Sequence, residues 1–101
     1  MKDLKDKVAA ITGAASGIGR ALALNLAAEG CHVAIADVNE AGLKETADKV
    51  RSSGVRVTTH TVDVASREQV KRYADEVVNA HGSVHLISIM QAAASWRPWK
   101  T

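Results

Sequence analysis

Residues 12–19 read Thr-Gly-Ala-Ala-Ser-Gly-Ile-Gly, and the fold follows from what stands on either side of them. Before them, positions 7–12 form a short apolar run that stops at a glycine, the pattern of a strand buried on both faces. After them, Ile18, Leu22 and Leu26 recur every four residues between Gly17 and Glu29, which predicts one apolar helical face, with Gly30 marking the stop. The glycine-rich stretch is therefore the turn between a buried strand and a helix.

The same alternation continues outward. Positions 31–37, Cys-His-Val-Ala-Ile-Ala-Asp, read as a second strand. Over 40–53, Leu43, Ala47 and Val50 share a side while Lys44, Glu45, Lys49 and Arg51 lie elsewhere, so a second helix is expected, ending before Gly54. The β-branched run at 55–62 is a third strand. Ser66 followed by Gln69 is a capping-box signature for a third helix whose face continues through Val70, Ala74, Val77 and His81 and stops at Gly82. Positions 84–89 complete a βαβαβαβ order. Strands joined by helices of this length run parallel through right-handed crossovers, so the fold class is α/β: a partial Rossmann-like doubly wound parallel sheet, expected order 3-2-1-4.

A helix N-terminus offers unpaired N–H groups and partial positive charge, and glycine lets a pyrophosphate approach the backbone without meeting a Cβ. Gly13 suits the turn, Gly17 and Gly19 suit phosphate entry and close packing, and Ser16 can add a hydroxyl; with Ile18 these are the candidate phosphate-contacting residues. Asp37 ends the second strand 18 residues beyond Gly19, near the spacing of about 20 expected for an acid that binds a ribose diol. A carboxylate there repels a 2′-phosphate, and positions 14–16 hold no base to offset it, so the cofactor expected is NAD rather than NADP; Arg20 is the nearby base that qualifies this. A purely local role for Asp37, opening a turn in which Asn39 caps the next helix, is compatible with the ligand role.

The spacing Gly-x-x-x-Gly-x-Gly, the opening Leu4–Ala23, Asp37, the Asp63-Val64 pair and positions 81–87 together resemble the short-chain dehydrogenase/reductase family. The resemblance implies an NAD(P)-dependent oxidoreductase that moves hydride between nicotinamide and an alcohol or carbonyl substrate, with Asp63 and Val64 against the adenine. It stops abruptly. The family's Asn-Asn-Ala-Gly aligns with Ile89, Met90, Gln91 and Ala92, and none matches. The family's catalytic Ser and Tyr-x-x-x-Lys have no counterpart: Tyr73 is the single tyrosine, Val77 stands four residues after it, and its place near an apolar helix face predicts packing.

Residues 1–87 are thus expected to be a truncated dinucleotide-binding domain and 88–101 a disordered tail foreign to the family. A frameshift near codons 87 and 88 accounts for this. If Ser88 is encoded TCA, Ile89 ATA or ATC and Gln91 CAG, reading from the third base of Ser88 onward gives Asn, then Asn or His, Ala and Gly, and the alanine is forced by Met90 and Gln91. No catalytic residue is assigned, and the chain alone is expected to be inactive; the alternative is a nucleotide-binding module without chemistry.

Composition narrows the remaining classes. At 101 residues and 47% hydrophobic, the chain has material for one domain. No apolar run reaches the roughly 18 residues of a membrane span, and the charged start has no signal-peptide core, so a cytoplasmic protein is expected. Removing Arg97 and Lys100 leaves 11 basic and 11 acidic residues, an even balance that argues against a nucleic-acid partner. His32, His60, His81 and His85 are scattered without metal-ligand spacing, so no metal is expected, and Cys31 in its apolar run reads as a packed thiol. The fourth strand should present an uncovered apolar edge, and self-association through it is expected.

Overall fold

The computed structural model describes residues 5–88. They alternate as β1 (Val8–Thr12), α1 (Gly17–Ala28), β2 (His32–Asp37), α2 (Glu40–Arg51), β3 (Val57–Thr61), α3 (Arg67–His81) and β4 (Leu86–Ser88). The four strands form one parallel sheet in the order β3-β2-β1-β4. The elements are those expected, with ends trimmed by one to two residues in most cases and the fourth strand beginning at Leu86. Ser88, placed in the expected tail, is instead the last residue of β4, paired with Ile11 because the strand continues in register beside β1; positions 89–101, with the aligned Ile89–Ala92 segment, lie outside the described residues.

Central strands must bury both faces, and alternation along β1 and β2 sorts the residues. Ala9, Ile11, Val33 and Ile35 meet Ala23 and Ala27 of α1 and Leu43, Ala47 and Val50 of α2. Val8, Ala10, Ala34 and Ala36 meet Tyr73 and Val77 of α3 together with Val62. Each fully buried Val, Leu or Ile contributes about 1.5–3 kcal/mol, so these two layers carry the fold.

Two helix faces differ from the periodicity reading. On α1 the buried positions are Gly19, Ala23 and Ala27, while Leu22 and Leu26 flank them and Ile18 is 74% exposed. The cause is close approach: a Cβ at Gly19 would lie 2.1 Å from the Gly13 carbonyl oxygen, so the nearest contact with the sheet is made by the smallest side chains and the larger ones turn outward. On α3, Tyr73 and Val77 are buried and Ala74 is exposed. The long ring spans a gap above alanines that a methyl group would leave empty. With Val77 and Val62 it leaves Ala34 and Ala36 of β2 fully buried.

Local chemistry sets the helix ends. Asn39 caps α2 by accepting from the Gly42 N–H at 3.0 Å. Ser66 caps α3 by accepting from the Gln69 N–H. The return half of the box is redirected, since Gln69 Oε1 accepts from the Asp63 N–H at 2.8 Å.

Candidate nucleotide site at the strand ends

Because all four strands are parallel, Thr12, Asp37 and Thr61 bring the loops that follow them to one edge of the sheet. β1 lies between β2 and β4, so successive connections leave it in opposite directions and open a crevice above its end. The glycine-rich turn occupies that position.

Its geometry divides the work among three glycines. Gly13 turns the chain with φ +68°. Gly17 has φ +61°, which L side chains rarely adopt, and a Cβ there would meet nothing within 4 Å; it faces open space. Gly19 is instead packed on Gly13. Ser16 stands at the N-cap in extended conformation, exposed, and its hydroxyl makes no cap hydrogen bond. The first helical N–H groups have no carbonyl four residues back, so this uncapped end presents free donors toward the opening left by Gly17. Ile18 is exposed beside them.

Asp37 is half-buried at the end of β2, and its carboxylate is anchored twice. Oδ2 accepts from the Ala15 N–H at 3.0 Å and Oδ1 from the Asn39 N–H at 3.2 Å. The local turn role and the placement beside the glycine-rich loop therefore coexist. Each carboxylate oxygen keeps a lone pair for a hydroxyl donor. Asp63 and Val64 follow β3 at the same edge; the Val62 N–H donates to the Asp37 carbonyl at 3.2 Å, and Asp63 Oδ1 accepts from the Ala65 N–H at 2.9 Å. Asp63 is exposed and Val64 half-buried. The turn thus gathers Gly13, Ser16, Gly17, Ile18, Asp37, Asp63 and Val64 at one edge, with Gly19 beneath as packing.

Arg20 points away from the crevice mouth into the seam between α1 and α2, where it pairs with Glu45 at 3.0 Å and donates to Thr46 Oγ1 at 2.8 Å. Thr46 is fully buried and donates to the Ala14 carbonyl at 2.8 Å. Sequence reasoning assigned Thr46 no role, because a threonine on the inner face of an amphipathic helix has no signature that sets it apart from a packed residue.

Tyr73 donates its hydroxyl to the Ala34 carbonyl beneath the sheet, and burial pushes its phenol far above the ordinary range. It is a core residue, as its helix position suggested. Burial also raises the Cys31 thiol, which is enclosed at the start of β2. Among the described residues no helix is long and apolar enough to cross a membrane, and no cluster of three or more His, Cys, Asp or Glu could hold a metal ion. An open groove between α2 and β3, lined in part by Leu43, Lys44, Thr59 and Thr61, contains none of Gly13, Ser16, Gly17, Asp37, Asp63 or Val64.

Comparison with known proteins accords with this arrangement. SadH of Mycobacterium tuberculosis, assigned as an oxidoreductase, is 46% identical over 87 residues, which are 86% of this chain and 32% of that protein. A short chain dehydrogenase/reductase from Burkholderia phymatum, solved in complex with NAD, is 42% identical with a TM-score of 0.82, covering 86% of this chain and 31% of that one. NAD+-bound xylitol dehydrogenase is 37% identical at a TM-score of 0.82, covering 85% of this chain and 33% of that one. The chain thus spans about a third of the length of these relatives. The sequence profile of the short chain dehydrogenases matches residues 7–97, running past residue 87. By that match and by the strand-end architecture that accompanies it, this chain belongs to the short chain dehydrogenase family.

Proposed function

We infer that this chain is the dinucleotide-binding part of an NAD-linked oxidoreductase acting on an alcohol or carbonyl compound. The observation that carries the reading is the Asp37 carboxylate, tied to the Ala15 N–H beside an uncapped helix N-terminus that a glycine leaves open. Phosphate oxygens suit the free donors at Ser16, Gly17 and Ile18, the ribose diol suits Asp37, and the adenine suits the Asp63–Val64 turn. The NAD-bound relatives support the same ligand class. When bound, nicotinamide supplies the hydride acceptor or donor; the residues of this chain bind and orient it.

NAD is preferred over NADP. A 2′-phosphate would meet the Asp37 carboxylate, positions 14–16 carry no base, and Arg20 is neutralised by Glu45 and engaged with α2. Calorimetric titration of the chain tests this: NAD should bind more tightly than NADP, and Asp37→Ala should narrow the gap. Tighter binding of NADP to the unmodified chain would overturn the assignment.

The 101 residues by themselves bind without turning over substrate. General acid catalysis needs an accessible group of suitable pKa, and Tyr73 is buried, hydrogen-bonded and without a lysine four residues on. A small-molecule substrate belongs to a full-length relative. We place the protein in the cytoplasm, without a nucleic-acid partner, and expect self-association through the β4 edge, read by light scattering. A frameshift near codons 87 and 88 predicts that the shifted frame of the coding DNA continues open through a Ser and a Tyr-x-x-x-Lys; early stops there would refute it.

A further inference from the structure

The backbone of Ala14 and Ala15 is gripped at all four of its polar atoms. From the sheet side, the Ala14 N–H donates to the Ala36 carbonyl at 3.1 Å and the Ala15 N–H to Asp37 Oδ2 at 3.0 Å. From the helix side, Thr46 Oγ1 donates to the Ala14 carbonyl at 2.8 Å, and Arg20 Nη2 donates to the Ala15 carbonyl. The two helix-side groups are themselves joined, since Arg20 Nε donates to Thr46 Oγ1 at 2.8 Å. The remaining guanidinium contacts reach Glu45 at 3.0 Å and the Gly42 carbonyl at 3.3 Å, so Arg20 makes four hydrogen bonds with the five donors it has. Thr46 is fully buried, and the Arg20 side chain is 23% exposed.

This grip needs α2 to lie very near the loop, and Gly42 permits it. A Cβ at Gly42 would stand 2.7 Å from the Ala15 Cβ and 2.8 Å from the Ala15 carbonyl oxygen. An exposed ion pair such as Arg20–Glu45 contributes little by itself. The significant element is the pair of bonds to consecutive carbonyls, because fixing both peptide planes fixes where the Ala15 and Ser16 N–H groups point, the first toward the Asp37 carboxylate and the second at the entry to the glycine-rich turn. Sites keep affinity when the groups around them lock the geometry in advance.

We propose that Arg20 and Thr46 are positioning residues for the nucleotide site: together they clamp the Ala14–Ala15 backbone from α2 and so hold the glycine-rich loop in its binding shape. The proposal rests on the dinucleotide reading above. Arg20 therefore acts on the cofactor through the loop and not as a phosphate-binding cation.

The test uses the whole chain, with NADH binding followed by fluorescence and amide hydrogen exchange followed residue by residue. Arg20→Ala and Thr46→Val should each weaken NADH binding about tenfold or more, the loss expected when hydrogen bonds involving a charged or buried partner go unmade. Without any ligand, both should speed exchange at the Ala14 and Ala15 amides while leaving the amides of β2 and β3 protected. Thr46→Ser, which keeps the hydroxyl, should restore both. Unchanged exchange at Ala14 and Ala15 in both variants overturns the clamp, and so does faster exchange spread evenly over the sheet, which would make the residues merely structural. Should the unmodified chain bind no NADH, the dinucleotide reading fails, and the exchange measurement alone then decides the clamp.

Discussion

On one face of the sheet α1 and α2 cover Ala9, Ile11, Val33 and Ile35; on the other, α3 covers Val8, Ala10, Ala34 and Ala36. The first face interlocks many medium-sized side chains from two helices, and its upper rim is the clamped glycine-rich loop. The second lays mostly small residues under one helix, with the Tyr73 ring as its largest side chain beside Val77 and Val62. It also carries a polar group at its lower rim: His60 Nδ1 meets Glu76 at 2.9 Å, and Thr58 Oγ1 lies 2.8 Å from His60 Nε2 and 2.9 Å from His81 Nε2. The difference shows where redundancy was built. The face under the candidate nucleotide site is held by several independent contacts from two helices, whereas the other rests on Tyr73, Val77 and Val62 and a short hydrogen-bond chain.

The largest expected effect follows from that dependence. Tyr73→Ala removes the ring that fills the second face and should cost about 3–5 kcal/mol, while Leu43→Ala, whose neighbours on the first face can close in, should fall near the low end of about 2–5 kcal/mol. Urea unfolding midpoints measure both, and equal losses would break the comparison.

Next comes Gly19→Ala. The added methyl must displace the Gly13 carbonyl, which is backbone and cannot rotate aside. A loss of about 1–3 kcal/mol is expected, with NADH binding reduced beyond what the stability change explains. A variant that is as stable as the parent and binds NADH equally well would show the close approach to be dispensable.

Tyr73→Phe keeps the ring and removes the bond to the Ala34 carbonyl, so a smaller loss of about 0.5–1.5 kcal/mol is expected by the same urea measurement. A loss as large as that of Tyr73→Ala would mean that the hydroxyl, and not the ring, holds the face.

The smallest effect depends on pH. A carboxylate only accepts, so neutral His60 carries its proton on Nδ1 toward Glu76; Nε2 then accepts from the Thr58 hydroxyl, and Thr58 accepts from His81 Nε2–H. That leaves His81 Nδ1 as a buried lone pair without a partner. Protonating it is disfavoured by burial first, and then by the charges of Arg56, His32 and His60, so the His81 pKa is lowered in the fold. The unfolded chain then binds more protons than the folded one below the ordinary histidine value. Stability should fall as pH drops through about 6.5 and continue falling toward the lowered value. His81→Gln should flatten that slope in unfolding curves recorded across the range, and an unchanged slope would assign the acid sensitivity to other groups.

Much of the candidate site's placement was legible because it is local or strictly periodic. The turn at Gly13, the donors at Ser16 and Gly17, Asp37 at a strand end and the caps at Asn39 and Ser66 each depend on neighbours within a few residues, or on parallel strands aligning their ends. The outward turn of Ile18 was not legible, since four-residue spacing identifies an apolar stripe without saying which side lies closest to the sheet. Helix-to-sheet distance settles that, and here it is set by Gly19 against Gly13. The redirected Gln69 is similar: its side chain reaches Asp63 instead of Ser66 because the turn after β3 brings that N–H within range.

The order of strands and helices, the family and the chemistry suited to the strand ends were determined by the amino-acid sequence alone, through short-range patterns of glycine, acid and apolar residues. Only the tertiary structure decided that Arg20 faces Glu45 and Thr46, that Thr46 holds the Ala14 carbonyl, and that the Tyr73 hydroxyl ends on Ala34. These contacts join residues some 25 to 39 positions apart. Periodicity fixes only the direction in which a side chain leaves its own element. What it meets depends on how near the next element packs, and in this chain the absent Cβ atoms of Gly19 and Gly42 set that distance.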